Sequence, residues 1–270
     1  MVYPLIGLAS EVGSLLNLYK KRIRDGEAHA LFSERVTEEL GDVLWYIANL
    51  AGKLDLSLGD IAQINLRRLD ERWATGSGTR PVSLLDDGFP DDQRLPRHAS
   101  IAFVQAHEEG RLRVRLIHEG NQVGDPLSDM AWEEDDYRFH DAFHLTYAAV
   151  LGWSPITRAF FGRQRVSNPR MREIEDSGRA KVIEEAIAAL AFEYAREASF
   201  LEGVQQLDLS FLQTVRNMAS HFEVRIRTFR DWEMAILRSF EIWRALREHG
   251  GGILHLDLPA RSIRFEPSPK

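Results

Sequence analysis

Apolar residues recur at three- and four-residue spacing through residues 5–73, the period of helices with one apolar face. Leu5, Leu8, Val12, Leu15, Leu16 and Tyr19 mark a first helix, which Asp25-Gly26 ends. Val36, Leu40, Val43, Leu44, Ile47 and Leu50 mark a second, running from a cap at Ser33 to about Leu54. Ser57 ahead of Asp60 reads as a capping box that opens a third helix, continuing to about Trp73. Residues 75–96 are rich in Gly, Pro, Asp and Ser and read as a linker or long loop.

The period then changes from helical to alternating. His98–Gln105 and Arg111–His118 are expected strands, separated by Glu108-Glu109-Gly110 and followed by a turn at Gly120-Asn121. Four further helical segments are expected at about 134–151, 179–198, 208–221 and 229–248, with Gly152-Trp153-Ser154-Pro155 as a helix stop. Between them, residues 162–177 are polar and basic and read as a loop. Arg158–Arg172, with five arginines, reads as a solvated run. Trp132, Trp153, Trp232 and Trp243 are expected in the core. Gly250-Gly251-Gly252 reads as a helix C-cap and turn before two strands, Ile253–Leu258 and Arg261–Phe265, which can share one antiparallel sheet with the earlier pair.

Composition narrows the class. The 270 residues are 44% hydrophobic and 28% charged, ordinary for a globular chain with a sizeable core. No apolar run is long enough to span a bilayer, and no basic region followed by an apolar stretch opens the chain, so a cytoplasmic protein without membrane partners is expected. A net charge of −7 argues against strong nucleic-acid binding. Without cysteine, Asp, Glu and His are the metal-binding side chains of note.

The second helix concentrates chemistry. In Thr37-Glu38-Glu39-Leu40-Gly41-Asp42, three carboxylates fall on one side of an otherwise apolar helix. Such groups repel unless a hard cation shares them, and Mg²⁺ is typically held by a few carboxylates, waters and substrate phosphate. Glu11, on the first helix, offers a further ligand.

Gly7-Leu8-Ala9-Ser10-Glu11-Val12-Gly13-Ser14, Glu38–Tyr46 and Asn65-Leu66-Arg67-Arg68-Leu69 with Arg72 resemble the MazG-like, all-α nucleoside triphosphate pyrophosphohydrolases over about residues 5–73. The resemblance implies a Glu-x-x-Glu helix followed by a Glu-x-x-Asp helix, whose carboxylates hold Mg²⁺, with Mn²⁺ as an alternative. Those positions are Glu11, Ser14, Glu39 and Asp42; Ser14 replaces a carboxylate with a hydroxyl, a poor Mg²⁺ ligand. It further implies hydrolysis of an NTP or dNTP to the monophosphate and pyrophosphate. Glu38 or Glu39 would act as general base, Lys21, Arg68 and Arg72 would face the phosphates, and Asn65 the sugar or base. Self-association is implied too, since family members assemble as dimers or higher oligomers.

A second constellation lies at Asp135–His144. His140 and His144 stand one helical turn apart, the spacing that lets two imidazoles grip one metal, and Asp141 is adjacent. Glu184, Glu185 and Glu193 on the next helix can complete a His/carboxylate set suited to Mn²⁺, Fe²⁺ or Zn²⁺. The structural alternative is a hydrogen-bonded core network beside Tyr137, Phe139 and Phe143. Arg35–Leu40 and Lys181–Ala186 also look alike, as a diverged internal repeat would.

The expected fold is therefore mainly α. A MazG-like helical module covers 1–75, a linker and small β element 76–133, a second helical module, either a diverged repeat or an unrelated bundle, 134–249, and a C-terminal hairpin 250–270. Two rival functions accompany the pyrophosphohydrolase reading: catalysis at the His/carboxylate set, or a nucleotide-sensing scaffold with a degenerate first site.

Overall fold

The computed structural model describes residues 2–28, 30–73, 84–108 and 110–268, excepting the side chains of Glu27 and residues 68–73. The chain divides into two compact units, Met1–Ala74 and Thr75–Lys270.

In the N-terminal unit, α1 (Val2–Asp25) and α2 (Phe32–Lys53) pack along one another, and α3 (Leu58–Trp73) follows. Gly7 admits the close approach: a Cβ there would lie 2.2 Å from Tyr46 Cε1, so the Tyr46 ring lies directly on the α1 backbone. Tyr19 meets Phe32 edge-on at 5.1 Å. Leu18 and Ala51 are the fully buried hydrophobics among the described side chains apart from Pro4. Leu5, Val12, Leu16, Tyr19, Leu40 and Leu44 of the two predicted stripes are exposed, as is every described side chain from 52 to 67. Ser33 is not the α2 cap: the helix starts at Phe32 after Leu31, and Ser33 accepts the Thr37 hydroxyl at its carbonyl. Ser57 does cap α3, its Oγ accepting the Asp60 N–H at 3.3 Å.

The C-terminal unit is built on a five-stranded antiparallel sheet, order β3-β2-β1-β4-β5. Its strands are β1 (His98–Glu108), β2 (Arg111–His118), β3 (Asn121–Leu127), β4 (Gly251–Asp257) and β5 (Ser262–Glu266). Alternation buries Ile101, Phe103, Val114, Leu116, Leu254 and Leu256 on one face. Gly251, at φ +130°, lets β4 approach β1, because a Cβ would stand 2.4 Å from the Phe103 carbonyl oxygen.

Against the sheet pack α4 (Asp141–Leu151), α5 (Pro155–Phe160) and α9 (Phe229–His249), and on these helices and one another α6 (Pro169–Glu175), α7 (Gly178–Arg196) and α8 (Leu209–Met218). Every residue of α4 is buried, the mark of a central helix, and α9 is its main partner. The capping box between Thr228 and Asp231 starts α9. The architecture is mainly α with a small antiparallel sheet, as expected.

Several expectations change. The β element, second helical module and C-terminal hairpin share one sheet and one core, so they form one unit. Within the predicted linker, Asp86, Gln93 and Leu95 are buried; residues 75–83 lie outside the described residues. The predicted loop at 162–177 contains α6, and the predicted helix stop at 152–155 leads directly into α5. The arginine run is only partly solvated: Arg170 and Arg172 are exposed, but Arg158 and Arg165 are buried. Arg158 pairs with Asp86 at 2.7 Å, and Arg165 with Asp176 at 2.6 Å and Glu223 at 2.8 Å. Trp153, Trp232 and Trp243 are core, but Trp132 is fully exposed. The repeat does not extend to architecture. α1 and α2 pair directly, whereas α5 and α6 intervene between α4 and α7, and α4 packs chiefly on α9.

Candidate metal centres

In the N-terminal unit, α1 presents Glu11 and α2 presents Glu39 and Asp42. One carboxylate oxygen from each lies within 4.8 Å of the others. Partial burial and the negative charges of Glu11 and Asp42 raise the Glu39 pKa above the usual carboxylate range. An acidic group that others push upward in this way fits a site for a hard cation, which would relieve the repulsion. Glu38 is exposed beside this trio and adds a smaller repulsion. Ser14 is half-buried on α1 and leaves the set one carboxylate short.

Lys21 is half-exposed on α1 and Asn65 exposed on α3; the side chains of Arg68 and Arg72 lie outside the described residues. Next to Glu11, a groove of about 500 Å³ is lined by Gly7, Ser10, Trp45, Tyr46, Asn49 and Lys53, among others. Lys53 was not among the expected site residues. Its signal was present, because Asp42, Tyr46, Asn49 and Lys53 recur at three- and four-residue spacing on α2.

In the C-terminal unit, the turn Tyr137–Phe139 delivers His140 to the start of α4, and Asp141 and His144 follow on the helix. The His140 ring stacks on Tyr137 with centroids 4.2 Å apart, and its Nδ1 meets the Tyr137 carbonyl oxygen at 2.9 Å. His144, fully buried, sets Nδ1 3.1 Å from Glu184 Oε1 of α7; Glu184 Oε2 accepts the Ile156 N–H at 3.0 Å. Glu185 Oε2 lies 3.4 Å from His144 Nε2 and 3.8 Å from His140 Nε2. Asp141 Oδ1 lies 3.9 Å from His140 Nε2.

The two histidines titrate in opposite directions. Burial and the neighbouring His144 charge lower His140 to about 4. Burial alone would lower His144 as well, but the charge and hydrogen bond of Glu184 override it and raise it to about 10. Burial pushes Asp141 up to about 7, while the close approach and charge of His144 outweigh burial at Glu185 and hold it low. Glu193 does not join this cluster, since it pairs with Arg196 at 3.2 Å. The structure thus brings together His140, Asp141, His144, Glu184 and Glu185, from two helices whose sequence separation hides their contact.

Among the described residues, no helix is long and apolar enough to cross a membrane. No solved structure matches the chain. It is 40% identical over 76 residues to the Gene 37 protein of Mycobacterium phage L5, covering 27% of this chain and 67% of that protein. The family model of the MazG C-terminal domain matches residues 80–269, which is the C-terminal unit rather than the region that carries the resemblance to MazG-like pyrophosphohydrolases. With that match over most of its length, the chain belongs to the MazG C-terminal domain family.

Proposed function

We propose that the protein is a metal-dependent nucleotide pyrophosphohydrolase that cleaves an NTP or dNTP to the monophosphate and pyrophosphate. The observation that carries this reading is the convergence of the Glu11, Glu39 and Asp42 carboxylates from two packed helices. Membership of a MazG-related family is consistent with it.

Glu11, Glu39 and Asp42 would hold Mg²⁺ or Mn²⁺, which would neutralise the triphosphate and acidify a bound water. Glu39, or exposed Glu38 next to it, would accept the proton of the attacking water. Lys21 and Lys53 supply positive charge for phosphate oxygens, and Arg68 and Arg72 belong to the same proposed set. Trp45, exposed beside the groove, offers a stacking face for the base, and Asn65 a hydrogen bond to the sugar or base. The α1–α2 pair buries few of its own apolar side chains, so we include homo-oligomerisation in the proposal.

The test is a screen of NTPs and dNTPs with Mg²⁺ and Mn²⁺, following pyrophosphate. Release that disappears in Asp42→Asn and Glu39→Gln supports the reading. Nucleotide binding without turnover in either ion would replace it with a nucleotide-sensing scaffold.

A further inference from the structure

The polar atoms of His140 and His144 are arranged as a metal centre requires before any ion arrives. A backbone carbonyl can only accept, so His140 carries hydrogen on Nδ1, toward Tyr137, and turns a lone pair outward at Nε2. The Glu184 carboxylate likewise fixes hydrogen on His144 Nδ1, and its second oxygen is held by the Ile156 N–H. Each ring is therefore oriented from behind, the role that carboxylates and carbonyls play behind metal-bound histidines.

What lies in front is only loosely paired. His144 Nε2 is completely buried, and its contact with Glu185 falls short of hydrogen-bond geometry. It faces Glu185 Oε2 at 3.4 Å, and His140 Nε2 faces Glu185 and Asp141 oxygens at 3.8 and 3.9 Å. Ring nitrogens aimed at carboxylate oxygens share a cation between them, either a proton or a metal that displaces it. For tetrahedral bonds of about 2.1 Å, neighbouring ligand atoms stand roughly 3.4 Å apart, close to these separations. A closed hydrogen-bonded core network would instead hold the buried Nε2 in a shorter, aligned hydrogen bond.

We infer that His140 Nε2, His144 Nε2, Glu185 and Asp141 form a binding site for a first-row divalent transition ion, with Glu184 and the Tyr137 carbonyl as positioning groups. Two imidazoles with carboxylates select Zn²⁺, Mn²⁺ or Fe²⁺ over Mg²⁺, which distinguishes this site from the all-oxygen set on α1 and α2. Three of the four ligands are buried; Glu185, 47% exposed, leaves one side open to a water or a substrate atom. The inference does not depend on pyrophosphohydrolase activity.

The full chain, free of any histidine tag and stripped with chelator, is titrated with Co²⁺ and followed by its visible ligand-field absorption. With Mg²⁺ present to occupy the carboxylate set on α1 and α2, the expected result is a band that saturates at one Co²⁺ per chain, typical of a nitrogen- and oxygen-ligated site, and that Zn²⁺ displaces but further Mg²⁺ does not. Glu185→Gln, at a half-exposed position that the fold tolerates, abolishes the band, and so does His140→Gln. Glu184→Gln weakens Co²⁺ binding by about 10- to 100-fold, as loss of a group behind a ligand does. Asp42→Asn leaves the band intact. A full-strength band in Glu185→Gln, with circular dichroism matching the parent chain, overturns the inference. So does a band that vanishes in Asp42→Asn, or no Co²⁺ bound at all.

Discussion

In the C-terminal unit most large apolar side chains are enclosed and several charges are buried in pairs; in the N-terminal unit apolar surface stays open and charge clusters near solvent. Trp153, Trp232 and Trp243 are buried among Phe143, Phe192, Phe222 and Phe240, and even Arg158 and Arg165 lie inside with their counter-charges. In α1 and α2, by contrast, Leu16 and Leu44 are each 64% exposed and Trp45 58%. Both regions have helices with strong apolar periodicity, so periodicity alone does not make a core. A helix pair has one face to bury and one partner to bury it on, whereas α4 is enclosed by α7, α9 and the sheet.

The largest test of this contrast is truncation of matched tryptophans. Trp243 packs on Phe192, Phe200 and Phe240 and donates its indole N–H to the Asp136 carbonyl at 3.0 Å. Trp243→Ala should destabilise the C-terminal unit by about 3–5 kcal/mol. Trp45→Ala should cost less than about 1 kcal/mol in dilute protein, because little of its ring is enclosed. Guanidinium unfolding of the full chain, read by circular dichroism, measures both. Equal losses would show that the N-terminal unit has a core after all.

Next come the buried charges. Arg165 is held by Asp176 and Glu223, and its guanidinium also sits over the Phe89 ring at 5.3 Å. Arg165→Met leaves Asp176 buried without this partner, at a cost of about 3–5 kcal/mol, and the double variant Arg165→Met/Asp176→Leu should recover much of it. An unrecovered double variant would mean that the pair fixes backbone geometry beyond its own charges. The exposed Arg24–Asp25 pair of the N-terminal unit, at 2.6 Å, should contribute little when broken.

These contrasts also mark where the sequence was readable. Local pattern located α1, α2, β1, β2, α7 and α9, because each is long and periodic enough for its own residues to reveal it. It passed over β3, whose Gly124 and Pro126 suppress strand propensity and whose register shifts at a bulge between Val114 and Leu116. It passed over α5 and α6, each too short for a period to show, although both begin with proline after a capping Ser154 or Asn168. Arg158 looked solvated because Asp86 lies 72 residues away in sequence. The same applies to function. The i, i+4 histidines and the Glu184-Glu185 pair were legible as residue types. That Glu184 orients His144 while Glu185 faces both rings required the fold, since one helical step separates a buried carboxylate from a half-exposed one.

Asp86 gives a pH test of the buried network. Burial alone would raise its pKa, but the Arg158 charge and hydrogen bonds from the Leu95 N–H and Arg158 outweigh that and hold it below the usual carboxylate range. A depressed folded pKa contributes stability above the ordinary value of about 3.9 and loses it as pH falls through the folded value. Asp86→Asn should therefore cost about 2 kcal/mol at neutral pH and progressively less as pH falls below the ordinary carboxylate value. Unfolding midpoints of parent and variant should converge as pH falls. A gap independent of pH would mean that Asp86 acts through packing and not through its charge.

The smallest effect probes the N-terminal unit at its tightest point. Gly7→Ala places a methyl 2.2 Å from Tyr46 Cε1 and 2.7 Å from its hydroxyl oxygen, so the ring must swing off α1. The helix gains up to about 1 kcal/mol from alanine's higher propensity, and the lost ring contact offsets it, leaving a net change within about 1 kcal/mol. Function should respond more than stability. Tyr46 and Gly7 both line the groove beside Glu11, so displacing the ring reshapes the proposed nucleotide site without touching a carboxylate. The expected outcome is a raised KM for pyrophosphate release with kcat nearly preserved, whereas Asp42→Asn should remove kcat. If Gly7→Ala lowers kcat as far as Asp42→Asn while the Tm is unchanged, the groove is not a separate recognition surface, and the ring instead sets the spacing of α1 and α2 on which the three carboxylates depend.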